Sequence, residues 1–157
     1  MKFSTQEEYG LRCLLAIART GENGSATIPE ISKSEGLSEA NVAKLLMLLR
    51  KEGFVVSTRG QAGGYSLAKQ PDGIFITEVL QTMGGKIYDE EFCERHSGIY
   101  DTCIHDSQCA IRSLWKKVQD AVDSALHDIT LRDLLPAQDF SNKKNLISLE
   151  LIQSQEK

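Results

Sequence analysis

The sequence predicts a mainly α fold in which three N-terminal helices precede a small β-hairpin and, later, one long helix. Three observations support this prediction: capping signals before each early helix, two short β-type runs around a glycine-rich turn, and a sustained apolar stripe from Ile111 onward. Helix, short helix, tight turn, helix and hairpin is the order of a winged helix-turn-helix domain. The long helix would lie outside that domain.

The chain has 157 residues, about one domain's length, and can bury a core of its own. A composition of 41% hydrophobic and 25% charged residues excludes a collagen-like or largely disordered chain. The longest apolar runs, Cys13–Ala18 and Leu45–Leu49, are far shorter than the ~20 residues that cross a bilayer, so we expect no membrane contact. The N-terminus lacks a secretory apolar stretch, and we expect a cytoplasmic protein.

The first two helices are marked by capping boxes. In Ser4–Glu7 the serine oxygen caps a backbone amide and the glutamate returns to the cap, and apolar residues then recur at three- and four-residue steps up to Arg19. Thr27–Glu30 repeats the signal with proline in the first turn, and Gly36 ends this short second helix.

The third helix begins after Ser38 and runs to about Lys51. The hairpin follows, with strands at residues 54–57 and 65–68. The side chains of the third helix that we expect to face inward are Val42, Leu45, Leu46 and Leu49.

The second half alternates between clear and absent periodicity. A helix is predicted over residues 76–83, but residues 86–106 show no regular apolar spacing. A helix of some twenty residues starts near Ser107, and a short helix follows at 130–135. The remaining residues, 136–157, form a polar tail that is either a loose helix or disordered.

The net charge of −4 hides an uneven distribution. Residues 1–87 carry ten basic and nine acidic side chains, whereas residues 88–157 carry eight and thirteen. Within residues 40–70 there are five basic side chains and one acid. A local basic patch matters more than the total charge for binding a polyanion, so this segment favours contact with double-stranded DNA.

In a winged helix-turn-helix the third helix enters the major groove and its first residues meet base edges. Ser38, Asn41 and Lys44 occupy that end; asparagine can pair with adenine, and lysine with guanine. Arg50 and Lys51 lie farther along, where we expect them to contact phosphates.

The hairpin tip is the second candidate DNA contact. Arg59 stands on a glycine-rich turn small enough to enter a narrow minor groove, which favours arginine. Gly60, Gly63, Gly64 and Tyr65 belong to the same candidate surface. A protein–protein module stays an alternative for the whole domain, whereas RNA clamping lacks the expected stacking aromatics.

Three of the four cysteines are clustered. Cys13 lies on an apolar helical stripe and is predicted to be a core residue, whereas Cys93, Cys103 and Cys109 fall within seventeen residues. An odd cluster is a poor disulfide framework in a reducing compartment and favours a metal site. Such a set suits an iron–sulfur cluster or, alternatively, tetrahedral zinc. The histidines that could complete either set are His96 and His105.

Two stretches resemble the bacterial IscR/NsrR family of iron–sulfur transcriptional regulators: Tyr9–Arg12 and Arg59–Ala68. The cysteine trio, Ala110–Trp115 and Thr130–Leu135 agree with that family, so the resemblance extends to about residue 135. It implies a homodimer joined through the long helix. It also implies a [2Fe–2S] or [4Fe–4S] cluster held in the segment before that helix.

Carried over by position, the resemblance makes Cys93, Cys103 and Cys109 the cluster ligands. Nine residues separate the first two, more than in most family members. The IscR branch places a ligating histidine three residues after the last cysteine, but here Arg112 stands there and cannot bind iron. The NsrR branch uses an acid near the start of the first helix of the partner subunit, where this chain has Glu8. That acid is equally well explained as stabilising its own helix terminus.

We therefore expect a repressor of a palindromic operator whose DNA affinity follows a cluster that senses redox state, nitric oxide or iron supply. The expected divisions are a DNA-binding region (1–84), a sensor loop (85–106), a dimerisation helix with a short following helix (107–135) and a tail (136–157). The alternatives are a zinc-stabilised or metal-free regulator or adaptor and, less favoured, an iron–sulfur electron carrier. No nucleophile–base pair or dinucleotide fingerprint indicates an enzyme.

Overall fold

The computed structural model of the chain describes residues 3–58, 63–100, 103–105 and 109–136. These residues confirm the predicted mainly α architecture with a two-stranded antiparallel hairpin. Two 3-10 turns, Pro71–Gly73 and Leu131–Leu134, accompany the regular elements. The helices and strands are α1 (Thr5–Ala18), α2 (Ile28–Glu35), α3 (Glu39–Lys51), β1 (Val55–Thr58), β2 (Gly64–Leu67), α4 (Ile76–Gly84), α5 (Phe92–Arg95) and α6 (Ala110–Leu126).

Both predicted capping boxes are present. Ser4 Oγ accepts a hydrogen bond from the Glu7 amide at 3.2 Å, and Glu7 Oε2 accepts one from the Ser4 amide at 2.6 Å. Thr27 and Glu30 repeat the exchange at the start of α2. Gly36 then ends α2 with a left-handed backbone, φ +66°, which glycine adopts without steric cost.

The hairpin pairs Val55 with Leu67 and Thr58 with Gly64, so β1 begins one residue later and β2 one residue earlier than predicted. Ala26 extends the sheet through reciprocal backbone hydrogen bonds with Tyr65 of 2.8 and 3.0 Å. A Cβ atom on Gly64 would lie 3.0 Å from the Ala26 carbonyl oxygen, closer than ordinary contact. Glycine at 64 therefore lets the preceding loop pack on the wing.

The core lies between α1, α2, α3, α4 and the base of the wing. Cys13 is fully buried there, and so is the predicted stripe of α3. The segment after α6 returns to this core, because Leu131 is fully buried and its amide donates to the Ile74 carbonyl at 2.8 Å. The Ile76 amide donates in turn to the Ile129 carbonyl at 2.9 Å. Residues 129–135 thus complete the hydrophobic core of the N-terminal half.

α6 spans 17 residues and begins at Ala110, three residues later than predicted; positions 106–108 lie outside the described residues. Ile111 and Leu114 are more than half exposed on it. Its inner side contacts α4, and the Thr77 hydroxyl donates to the Leu126 carbonyl at 3.1 Å. Within the described part of the chain, no helix combines the length and apolar character that crossing a membrane requires.

α1 and α4 cross at short distance. Gly10 is buried at the crossing, where an added Cβ would lie 2.9 Å from Met83 Sδ. The Gln6 side-chain amide donates to the Met83 carbonyl at 2.6 Å, next to the end of α4. The crossing attaches α4, which precedes the cysteine-containing segment, to the first helix of the chain.

A largely enclosed carboxylate attaches α2 to α1. Glu35, whose side chain is 10% exposed, pairs with Arg12 Nε at 3.0 Å and with Arg19 Nη1 at 3.4 Å. Arg12 also donates to the Glu35 backbone carbonyl at the end of α2 and lies over the Tyr9 ring, 5.4 Å from its centroid. These contacts satisfy a helix-terminal carbonyl that has no partner within the helix.

Replacing Glu35 by alanine should therefore leave two guanidinium groups without their shared partner. We expect Glu35→Ala to lower the free energy of unfolding by about 2 kcal/mol, measured by urea denaturation. Glu52 is the matched control, because its 3.8 Å contact with Lys51 is on the surface and Glu52→Ala should change stability by less than about 0.5 kcal/mol. Equal effects of the two substitutions would contradict the role given to Glu35.

Candidate functional site

The outer side of α3 is the candidate DNA-reading face. Val42 and Leu46 are fully buried on its inner side, so the opposite side is presented to solvent. Ala40, Lys44 and Met47 lie on that outer side and are exposed. Up to Met47, this face combines one cation with a small and a large apolar side chain, and Lys51 adds a second cation at the last turn.

The predicted reading residues differ in their surroundings. Ser38 caps α3, with its Oγ accepting from the Asn41 amide at 3.3 Å, so its oxygen already has a structural contact. Asn41 is half-buried at the edge of the outer face, whereas Lys44 is exposed on it. Arg50 and Lys51 are exposed at the C-terminal end of α3, where cations are also favoured by the helix dipole.

Two of the predicted wing contacts, Arg59 and Gly60, lie outside the described residues. Gly63 is half-buried beside β2. Gly64 and Tyr65 form the close packing with Ala26, so their positions have a structural explanation independent of DNA. Their contacts with DNA stay predictions.

A small aromatic cluster holds the start of the cysteine-containing segment against α6. Phe92 stacks on His96 with ring centroids 4.2 Å apart and also contacts Tyr88 and Trp115. The Tyr88 amide donates to Gln119 Oε1 at 3.1 Å, which explains why this polar side chain is buried. Residues 88–96 are thus attached to one side of the long helix.

An ion pair closes the same segment. Arg95 Nη2 lies 2.8 and 2.9 Å from the two carboxylate oxygens of Asp89, and Arg95 Nη1 lies 3.5 Å from Glu91. The hydrogen bond from Arg95 lowers the pKa of the Asp89 carboxyl below its usual range. The pair reinforces the turn that leads into α5, the short helix that carries Cys93.

Cys93 and Cys109 converge on Arg112. Cys109 is the N-cap of α6, and its sulfur accepts from the Arg112 amide at 3.5 Å. A hydrogen bond from the guanidinium to the Cys93 sulfur, followed by the electrostatic interaction between the two groups, raises the pKa of Arg112; Tyr88 and Cys109 contribute less. Arg112 Nε is buried without a hydrogen-bond partner among the described residues. Arg112 therefore places a cation beside two thiols.

The other candidate ligands are not gathered with this pair. Cys103 is half-buried, and Glu8 and His105 are exposed. His96 is occupied locally, with Nδ1 2.7 Å from the Phe92 carbonyl oxygen. Within residues 3–58, 63–100, 103–105 and 109–136, no three Cys, His, Asp or Glu side chains lie close enough to hold a metal ion. The predicted ligand set stays a prediction.

Sequence reasoning missed two features of these sites. Met47 lies inside the apolar run Leu45–Leu49, which reads as core, yet its side chain is 67% exposed. Met47 faces outward because it lies on the opposite side of α3 from the buried stripe. Helical periodicity was the signal that could have identified it. The contact of Arg112 with Cys93 joins the long helix to a segment without regular spacing, and nothing in the sequence indicated it.

The winged helix-turn-helix and the exposed cationic face of its third helix define a DNA-binding transcriptional regulator. The chain belongs to the Rrf2 family, whose model, described as an iron-dependent transcriptional regulator, matches residues 3–137. This finding confirms the family resemblance and the fold class drawn from the sequence.

Individual relatives are also transcriptional regulators. The HTH-type transcriptional regulator CymR of Bacillus subtilis is 34% identical over 134 residues, covering 85% of this chain and 89% of that protein. The structure of CymR, the global cysteine regulator of B. subtilis, superposes with a TM-score of 0.69 at 32% identity, over 85% of this chain and 95% of that one. T. potens IscR gives a TM-score of 0.69 at 28% identity, over 85% of both chains.

The four thiols should differ in reactivity. Burial, and then the charge of Glu35, raises the pKa of Cys13 to about 11, so this thiol is protonated and enclosed at pH 8. In metal-free protein under anaerobic conditions, we expect iodoacetamide to modify Cys93, Cys103 and Cys109 and to spare Cys13, as read by peptide mass spectrometry. All four should react in urea. Modification of native Cys13 at the rate of the others would contradict its placement in the core.

Proposed function

We propose that the chain is a homodimeric repressor that binds a palindromic operator in the cytoplasm, with an affinity set by an iron–sulfur cluster on Cys93, Cys103 and Cys109. The observation that carries the sensing half is the convergence of Cys93 and Cys109 on Arg112 at the start of α6. The cysteine pair therefore lies at the N-terminal end of α6, whose C-terminal end is bonded to α4.

The DNA-binding half rests on the presentation of α3. Its inner stripe is buried in the core, so the exposed Lys44 side is free to enter a major groove. Arg50 and Lys51 extend the cationic surface to the C-terminal end, where phosphates would lie. The described segment contributes no competing acid on that outer side beyond Glu39 at its first position.

A homodimer is supported by the outer side of α6. Ile111 and Leu114 are 59% and 54% exposed one turn apart, at the start of a helix whose other side packs on α4 and residues 88–92. Apolar side chains exposed together in this way are typical of a surface that a partner covers. A second copy of this chain, related by a two-fold axis, would pair the same patch with itself and match a palindromic operator.

Lys44 gives the direct test of the DNA-reading face. We expect Lys44→Ala to weaken binding about tenfold, measured by fluorescence anisotropy on a duplex that the wild-type protein selects from a random library, because a lysine contact to a base edge is lost. Lys116→Ala is the matched control, since Lys116 pairs with Asp120 on α6, away from α3. Unchanged affinity of the Lys44 variant would rule out this face as the reader.

The chemical types of the residues present are suitable for an iron–sulfur cluster. Three half-buried thiols supply the sulfur ligands that iron prefers, and the Arg112 guanidinium can offset the negative charge that ligated thiolates carry. The fourth ligand would be Glu8 from the partner subunit, with His105 or His96 as alternatives. When bound, a cluster with one non-thiolate ligand would supply one weakly held iron, which oxidants or nitric oxide can attack and which can be lost when iron is scarce.

The chain itself offers a path from the cysteines to α3. Cys109 caps α6, the far end of α6 accepts the hydrogen bond from Thr77 of α4, and α4 crosses α1 at Gly10. A hundredfold change in DNA affinity needs about 2.8 kcal/mol of differential binding between two states, which a few contacts along this path can supply. The path consists of packed elements of the described chain rather than of a separate linker.

Composition of the purified protein tests the cluster. Prepared without oxygen, the wild type is expected to be brown and to contain iron and acid-labile sulfide; Cys103→Ala should lose both and change operator affinity. Cys13→Ala should keep both, because Cys13 lies in the core and not with the trio. A colourless protein with stoichiometric zinc would replace the cluster by a structural zinc site.

A second candidate function has an observation of its own. The three cysteines do not form a metal-holding group in the described chain, and Arg112 interacts with two of them. CymR, which is similar in sequence and fold, is described as a global cysteine regulator. A thiol-based regulator without a cluster is therefore the alternative, and absence of iron, sulfide and zinc from the anaerobic protein would favour it.

A further inference from the structure

We infer that Met47 reads the methyl group of a thymine in the operator and so fixes one base of the recognised sequence. The inference rests on the proposed function, since it needs α3 to lie in a major groove. Met47 is 67% exposed in the middle of a helix whose leucine side chains are all buried or half-buried. Nothing in the described chain covers it, although it is a large apolar group.

Position on the helix places Met47 with the base-reading residues. At about 100° per residue, Ala40, Lys44 and Met47 fall within a sector of about 60° that is centred opposite the buried stripe. Ala40 and Met47 are separated by about 10 Å along the axis, which fits within a major groove about 12 Å wide. Lys51, one turn farther on, would lie beyond the base edges and near the phosphates.

The neighbours of Met47 allow a close approach to the bases. Ala40 and Ala43 are small, so the helix backbone can descend into the groove without a bulky side chain meeting the base edges first. Lys44 and Arg50 provide positive charge on either side, and this complements the phosphates that border the groove. The apolar side chain is therefore surrounded by groups that favour DNA over an apolar protein partner.

Thymine is the base that fits an apolar side chain. The C5 methyl of thymine is the apolar group that the standard bases present in the major groove, whereas the other base edges offer donors and acceptors. Methionine has no strong hydrogen-bonding group, and its flexible unbranched chain adapts to a small apolar target. Contact between them removes apolar surface from water on both sides.

Substitution of thymine by deoxyuridine tests the contact, because it removes the methyl and keeps the base pair. On the duplex selected by the full-length wild-type protein, each thymine of one half-site is replaced in turn. We expect one replacement to weaken binding about fourfold, because the burial of one methyl group at the interface is lost. With Met47→Ala the same replacement should have no effect, whereas Met47→Leu should keep the sensitivity.

Lys44→Ala is the control for a general loss of affinity. It should weaken binding to both duplexes and keep the fourfold ratio between them, since it removes a different contact. A ratio of one for every thymine in the wild type, or an unchanged ratio in Met47→Ala, would overturn the inference while leaving DNA binding intact. Failure to select or bind any duplex at low salt would instead overturn the proposed function.

Discussion

One carboxylate determines how the third helix is presented. Glu35 is the last residue of α2, and it pairs with Arg12 and Arg19, both of which belong to or follow α1. A carboxylate that is largely removed from water is costly in free energy when it has no cationic partner. Separation of α2 from α1 would break both ion pairs and is therefore unfavourable. Gly36 then reverses the chain into α3, and the direction of the DNA-reading face follows from that anchored turn.

The two halves of the chain are coupled through packing rather than through a linker. α4 crosses α1 so closely that Gly10 has no room for a side chain, and α4 also contacts α6. The cysteine pair lies at the opposite end of α6 from the Thr77 hydrogen bond. Because the interior is close-packed, a displacement of α6 would act on α4 and, through the crossing at Gly10, on α1.

Features fixed by neighbouring residues could be predicted from the sequence. The capping boxes at Ser4 and Thr27 and the glycine at 36 depend on contacts within a few residues, and their helices were predicted within a few positions. The strands were displaced by one residue because alternation does not specify where pairing ends, and the backbone bonds from Ala26 come from outside the hairpin.

Features of the candidate site that depend on distant contacts could not be predicted. Arg112 contacts Cys93 across nineteen positions, and Cys93 lies in a region without apolar periodicity. The burial of Gln119 depends likewise on the backbone of Tyr88. Sequence reasoning found which residue types were available but not which of them the fold brings together.

The return of Leu131 and Leu135 to the core has a consequence for the order in which the chain folds. During synthesis, the first eighty-four residues leave the ribosome with an apolar gap that later leucines must fill. The core of the N-terminal domain is therefore completed only after the cysteine-containing segment has been synthesised. Newly made protein cannot present α3 on a completed core before the segment that carries Cys93, Cys103 and Cys109 exists.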